Sequence, residues 1–359
     1  MESMDIAERR LISQHIQGMD LHSVRDIVNW MGAMQAQDHG MAEWGIGVRL
    51  PGSTNRTVEA AINTGEIFRT HLLRTTWHFV SADDIRWMLA LRAKQIKTGL
   101  ATRHKELGLS EEIIRKSNEI FKNAMKGGHH LTRDEIVSEL KRADIVITEN
   151  RASHIMLRAE MDGVVCSGAI KNGKLTYALL EERVPRTNEL TKEEALAKAA
   201  EKYFNSHGPA TLQDFTWWSG LSAGDAKQAL ELVKQSFISE TIDSQTYWFR
   251  EFRARLKRYP EAVHLLPAFD EYIISYKDRR AMLSDAHFAK IVSTNGIFRP
   301  VIVVNGQVVG IWKREVKKDH VVVETEFFTK PNQDTLESIK KASKPFGLFL
   351  EKEIKIIQK

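Results

Sequence analysis

Apolar positions recur along the chain in three similar blocks. In the first, Val24, Ile27, Val28 and Met31 fall at helical spacing behind Ser23-Val24-Arg25-Asp26, a start like a capping box. In the second, the full capping box Thr132-Arg133-Asp134-Glu135 precedes Ile136, Val137 and Leu140. In the third, Thr211-Leu212-Gln213-Asp214 opens a helix containing Phe215, Trp217 and Trp218. The last two starts are 79 residues apart (211 − 132). Each start follows another helical pattern: Ile6 to Ile16, Glu111 to Met125, and Lys192 to Asn205. The later two of these end at the breakers Gly127-Gly128-His129-His130 and His207-Gly208-Pro209-Ala210.

Every block closes in strand-like sequence. Ile67 to Val80 closes the first, Gly163 to Leu180 the second and Phe237 to Phe249 the third. The second contains the hairpin signal Lys171-Asn172-Gly173, and the third a turn around Asp243-Ser244. Helix, turn, helix and β-hairpin is the order of a winged helix, a variant of the helix-turn-helix. The last hundred residues differ. Val301 to Val304, Asn305-Gly306, then Val308 to Trp312 predict a hairpin, His320 to Phe328 a strand, and Leu336 to Lys344 a short helix. The expected fold is therefore α+β: winged-helix units at 1–100, 101–190 and 191–258, and a β-rich domain at 259–359.

Composition narrows the class without choosing a function. With 359 residues, 42% of them hydrophobic and 28% charged, the chain is globular. A net charge of +5 permits nucleic-acid binding without requiring it. The single cysteine, Cys166, excludes an internal disulfide or a cysteine-rich zinc module and sits in an apolar run, which suggests a buried thiol. Met1 to Gln17 has no secretory hydrophobic core, and no apolar run is long enough to span a membrane, so a cytoplasmic location is expected. His129-His130 has no accompanying carboxylate or cysteine cluster; loop histidines are expected there rather than metal ligands.

Two polar segments carry the candidate chemistry. Gln35-Ala36-Gln37 stands at the end of the first amphipathic helix. Side chains at i and i+2 share a face only in extended backbone, so paired use of these amides requires the helix to end near Gln35. The second segment runs Arg69-Thr70-His71-Leu72-Leu73-Arg74-Thr75-Thr76-Trp77-His78. On an unbroken strand, 69, 71 and 73 would share one face and 74, 76 and 78 the other.

Further blocks lie downstream: His207 to Thr211 with Asp214-Phe215 and Trp217 to Leu221, Leu265 to Tyr272 with Asp278-Arg279, and the Asn305 to Trp312 hairpin. Together these segments resemble the winged-helix DNA glycosylases of the AlkZ type, which have a Gln-apolar-Gln motif. The resemblance spans nearly the whole chain. It implies tandem winged helices forming a DNA-binding channel, a β-rich C-terminal domain, and removal of bulky N-alkylated purines or unhooking of interstrand crosslinks. A sibling branch has Asp at the second motif position; this chain keeps both glutamines.

The resemblance makes Gln35 and Gln37 the candidate catalytic residues and double-stranded, alkylated DNA the expected partner, with no cofactor, metal or obligate protein partner. An N7-alkylated purine is already a cationic leaving group, so the enzyme has to stabilise an oxocarbenium-like sugar and place a water. A glutamine carbonyl accepts a hydrogen bond from water and its amide donates one, but it is no general base at neutral pH. Gln37 is expected to hold the water and Gln35 to support the water or the sugar, with Asp38 pointing elsewhere. Without the resemblance, the glutamines could simply terminate and solvate a helix.

Arg69 and Arg74 are candidate phosphate contacts, with His71 and His78 adding polar contacts. Arg250, Arg253 and Arg255 belong to the densest basic run, which suits either a DNA channel or a solvated linker. Of Trp217 and Trp218, at least one should be core. Asp270, Glu271 and Asp278 are expected to form ion pairs with Arg279 or Arg280. The alternative function is a noncatalytic, regulatory winged-helix DNA-binding protein; a third is a protein-interaction scaffold.

Overall fold

A computed structural model describes residues 3–18, 21–186, 188–251 and 262–358. The chain forms two compact units, Met1–Val58 with Leu196–Lys359, and Glu59–Ala195. The fold is mixed α and β, as expected. The boundary between the units falls inside the segment read as the first block.

The local start signals all form. Ser23 Oγ accepts from the Asp26 amide at 3.0 Å and caps the helix Val24–Met31. Thr132 with Glu135 and Thr211 with Asp214 close reciprocal capping boxes at the helices Arg133–Arg142 and Leu212–Ser219. Each box satisfies amides that a helix start leaves without an intrahelical partner. The turn signals form as well. Asn172-Gly173, Asp243-Ser244 and Asn305-Gly306 each place two successive residues at positive φ, the geometry of a two-residue hairpin turn that matches strand twist.

In the unit Glu59–Ala195, the helices Glu111–Met125, Arg133–Arg142 and Arg151–Met161 enclose a core of Ile114, Phe121, Ile136, Leu140 and Ile155. A sheet of Leu131–Thr132, Thr176–Leu179 and Val165–Ser167 lies in the same unit. Cys166 is fully buried there, and burial pushes its thiol up to about 12.

The helix Lys192–His207, which enters the other unit at Leu196, extends the expected helical segment by two residues and leads to the helices Leu212–Ser219 and Ala223–Val233. The hairpin of Ile238–Ile242 and Gln245–Phe249 follows. The C-terminal segment forms a five-stranded sheet in the order Val263–Leu266, Val301–Val304, Gln307–Val316, His320–Phe327, Glu353–Gln358. Its last pair is parallel, because the helix Gln333–Phe349 carries the chain back across the sheet. That helix is longer than the expected Leu336 to Lys344 and passes through Pro345.

Phe346 joins the C-terminal sheet to the N-terminal segment. Its ring lies 5.1 Å from both Trp44 and Trp312. The indoles of Trp44 and Trp312 donate to the Leu265 and Leu266 carbonyls, both at 2.8 Å. Gly47 is required at this junction: a Cβ there would lie 2.6 Å from the Phe349 ring.

Candidate active site around Gln35 and Gln37

The helix before the glutamines ends at Met31, four residues earlier than Gln35. Gly32, with φ 76°, ends it in a conformation that L side chains rarely adopt. Met34–Gln35 is then extended. Burial alternates across the motif: Met34 and Ala36 are buried, Gln35 is half-buried and Gln37 exposed. The apolar pair anchors the segment, and the two amides take the outward positions.

Asp38 does point elsewhere. It caps the next helix, His39–Gly47, by accepting from the Met41 amide at 3.1 Å, and it lies 3.4 Å from Arg314 Nη2.

The motif is held from the far end of the same unit. Gln35 N–H donates to Glu271 Oε1 at 2.6 Å. Glu271 is 2% exposed, and its other oxygen accepts from the Ser275 hydroxyl. His207, fully buried and stacked on Tyr203, places Nε2 3.8 Å from that oxygen, beyond hydrogen-bonding reach. Burial holds the His207 imidazole below the ordinary histidine range, the carboxylate of Glu271 opposing the shift.

Beside Glu271, Asp270 makes a two-pronged ion pair with Arg49 at 2.8 and 2.9 Å, both side chains almost wholly buried. Arg49 also donates to the Gln14 and Gly45 carbonyls and to Gln14 Oε1. The expected pairing of these acids with Arg279 or Arg280 holds for Asp278, whose carboxyl is kept below its usual range by Arg280. Asp270 takes Arg49 instead, and Glu271 serves the motif backbone.

Arg69, His71, Arg74 and His78 lie in the other compact unit. The expected single strand is a hairpin, Ile67–His71 with Trp77–Ser81, broken where Arg74 and Thr75 both take positive φ. The break resets the faces. Arg69, His71 and Trp77 share one: the Arg69 guanidinium lies 4.1 Å from the Trp77 ring centre, and the His71 ring 3.8 Å from it. His71 Nδ1 is fixed 2.6 Å from the buried Glu160 carboxylate. Arg74, half-buried, stands at the hairpin tip. His78 turns the other way: it is 1% exposed, opposite Thr70, with Nδ1 2.8 Å from the Thr76 carbonyl. The reading of His78 as a DNA contact is corrected by this burial.

Arg250 is exposed at the end of the hairpin of the third block. Arg253 and Arg255 lie outside the described residues. Trp218 is core at 1% exposure, and Trp217 is 37% exposed. Sequence reasoning missed what surrounds Trp217. Lys277 Nζ and the Arg279 guanidinium lie 4.8 and 5.6 Å from its ring, beside an open groove of about 430 Å³ lined by Gln213, Gln245, Lys277, Arg279 and Arg280 among others. The run Lys277-Asp278-Arg279-Arg280 was the available signal. Among the described residues, no cluster of three metal-ligating side chains occurs, and no helix is long and apolar enough to cross a membrane.

The family model for DNA glycosylase AlkZ-like proteins matches residues 28–346, which include the glutamine motif, Glu271 and four of the five strands of the C-terminal sheet. The chain belongs to the AlkZ-like DNA glycosylase family. It is 24% identical over 354 residues to the interstrand DNA cross-link repair glycosylase of Streptomyces sahachiroi, covering 91% of this chain and 89% of that protein. The solved structure of the DNA glycosylase AlkZ from Streptomyces sahachiroi superposes with a TM-score of 0.81 at 19% identity, covering 99% of this chain and all of that one. The mixed α and β fold with its C-terminal sheet is thus shared with that structure.

Proposed function

We propose that this protein hydrolyses the N-glycosidic bond of bulky or N7-alkylated purines in duplex DNA, with interstrand crosslinks among its substrates. The observation that carries the reading is the extended Gln35-Ala36-Gln37 segment, its amides outward and its backbone fixed by a buried carboxylate. In this reading Gln37 accepts a hydrogen bond from the attacking water and Gln35 orients the water or the sugar. The water oxygen bonds to C1′ as the C1′–N9 bond breaks. The bond's electron pair goes to the purine, cancelling its positive charge, and the water's proton passes to solvent. Orientation is the main contribution such amides can make, since neither titrates.

The three capped-helix and hairpin blocks support a reading as tandem winged helices at 1–100, 101–190 and 191–258, followed by the β-rich domain at 259–359. DNA would be held through phosphates by Arg69, Arg74 and Arg250, with Arg253 and Arg255 of the same basic run, and with His71 as a polar contact. Lys277 and Arg279 beside Trp217 add a cationic surface of the same chemistry.

The test is incubation with duplex DNA carrying N7-alkylguanine, followed by detection of the free base. Release by the wild type, lost in Gln35→Ala and Gln37→Ala, is the expected result. Salt-sensitive binding with no base release from any alkylated duplex would instead support a regulatory DNA-binding protein.

A further inference from the structure

Glu271 is 236 residues from Gln35 in sequence, yet its carboxylate accepts the Gln35 N–H of the motif's main chain at 2.6 Å. A carboxylate that is 2% exposed is expensive to bury unless its oxygens accept hydrogen bonds. Here one oxygen takes Gln35 N–H at 2.6 Å and the other the Ser275 hydroxyl. The residue sits on the short helical turn Glu271–Ile274, capped by Asp270, whose own carboxylate is locked onto Arg49. The Glu271 backbone is therefore a fixed support. The segment it contacts, Met34–Gln35, is a two-residue strand between Gly32 at positive φ and the exposed Gln37. Asp38, the acid within the motif's own stretch, is already committed to the Met41 amide and Arg314.

We propose that Glu271 is a positioning residue for the glutamine site, fixing the main chain at Gln35 so that the two amides are presented in one geometry. This rests on the glycosylase reading. It assigns Glu271 no proton transfer and no contact with the substrate. What matters is an acceptor at Oε1, not a negative charge. Glu271→Gln can keep both contacts, its carbonyl accepting from Gln35 N–H while its amide donates to a reoriented Ser275 hydroxyl. Glu271→Ala removes the acceptor and leaves a half-buried N–H without it.

The experiment measures single-turnover base release from an N7-alkylguanine duplex for wild type, Glu271→Gln and Glu271→Ala. The same three proteins are compared in DNA affinity and in amide hydrogen exchange of the peptide covering 33–37. Expected are a fall of about tenfold or more in rate for Glu271→Ala, by analogy with the loss of one oriented contact, and faster exchange in that peptide. DNA affinity should stay near wild type, and Glu271→Gln should recover most of the rate. A wild-type rate in Glu271→Ala overturns the proposal, as does a Glu271→Gln variant as slow as Glu271→Ala. Should the wild type release no base at all, the glycosylase reading fails separately. Unchanged exchange at 33–37 in Glu271→Ala would then still overturn the role given to Glu271.

Discussion

Removing the Asp270 carboxylate should destabilise the unit that contains the glutamine site by about 3–5 kcal/mol, the range for breaking a buried ion pair from one side. The geometry places this pair in that class. The Arg49 side chain is 0% exposed and that of Asp270 1%. Two of the five hydrogen bonds of Arg49 go to Asp270, at 2.8 and 2.9 Å. Asp270→Ala leaves the guanidinium buried without its counter-charge and removes the acceptor for the Tyr272 amide at 2.9 Å. Arg49→Met should cost a similar amount, since it strands the carboxylate and frees the Gln14 and Gly45 carbonyls. The double variant should cost at least about 2 kcal/mol less than the sum of the singles, because each single change already abolishes the shared interaction. Urea unfolding followed by tryptophan fluorescence is a suitable assay: Trp44, Trp218 and Trp312 are buried in the same compact unit. A cost under about 1 kcal/mol for Asp270→Ala, or strict additivity in the double variant, would refute the argument.

Gln35→Ala and Gln37→Ala should each lower single-turnover base release about tenfold to a thousandfold with folding and DNA affinity largely intact, while Gln37→Asp should retain activity because a carboxylate also holds water; wild-type rates in both alanine variants would disprove the site. Duplex binding should weaken steeply with salt, and Arg74→Ala should reduce the slope of log affinity against log salt by about one; an unchanged slope removes Arg74 from the phosphate contacts. Burial lowers His264 from 6.5 to about 4, so between those values the unfolded chain takes up a proton that the folded chain refuses. Its contribution is whole above pH 6.5 and is lost as the pH falls towards 4, by at most about 3 kcal/mol given its partial exposure. His264→Gln should flatten the thermal stability profile across that window, and a profile matching wild type would contradict the assignment.

What the sequence made legible was local. A capping box and a two-residue turn are decided within four residues, so Thr132, Thr211, Asn172-Gly173 and Asn305-Gly306 announced their elements. The helix Ile85–Glu106 went unseen because its buried side chains include Arg92 and His104 and keep to no single apolar stripe. The placement of His78 failed for a related reason. Alternation assigns faces only while backbone stays extended, and the positive-φ pair Arg74-Thr75 resets it. Asp214 could be read as a cap, but its second task could not: Oδ1 also accepts the amides of Lys277 and Asp278. The motif Gln35-Ala36-Gln37 was visible through its resemblance to a family. The clamp on it was not, since nothing near Gln35 in sequence points 236 residues ahead.

That distance changes the part given to the C-terminal segment. A general base can be tuned by its surroundings through its ionisation, whereas a glutamine has only its position and orientation to offer. Displacement of about 1 Å at a reacting centre can cost about a hundredfold in rate. Two amides on a short extended segment therefore depend on whatever immobilises that segment. Here adjacent acids divide the task. Asp270 ties its turn to Arg49, just beyond the helix His39–Gly47, and Glu271 ties the same turn to Gln35. One rigid turn thus grips the motif on its own strand and beyond the helix that follows it. Residues 1–58 by themselves would leave Arg49 without its counter-charge and Gln35 N–H without its acceptor. The C-terminal segment is accordingly part of how the candidate site is built, and a truncated chain ending before residue 259 is expected to lose base release even where DNA binding survives.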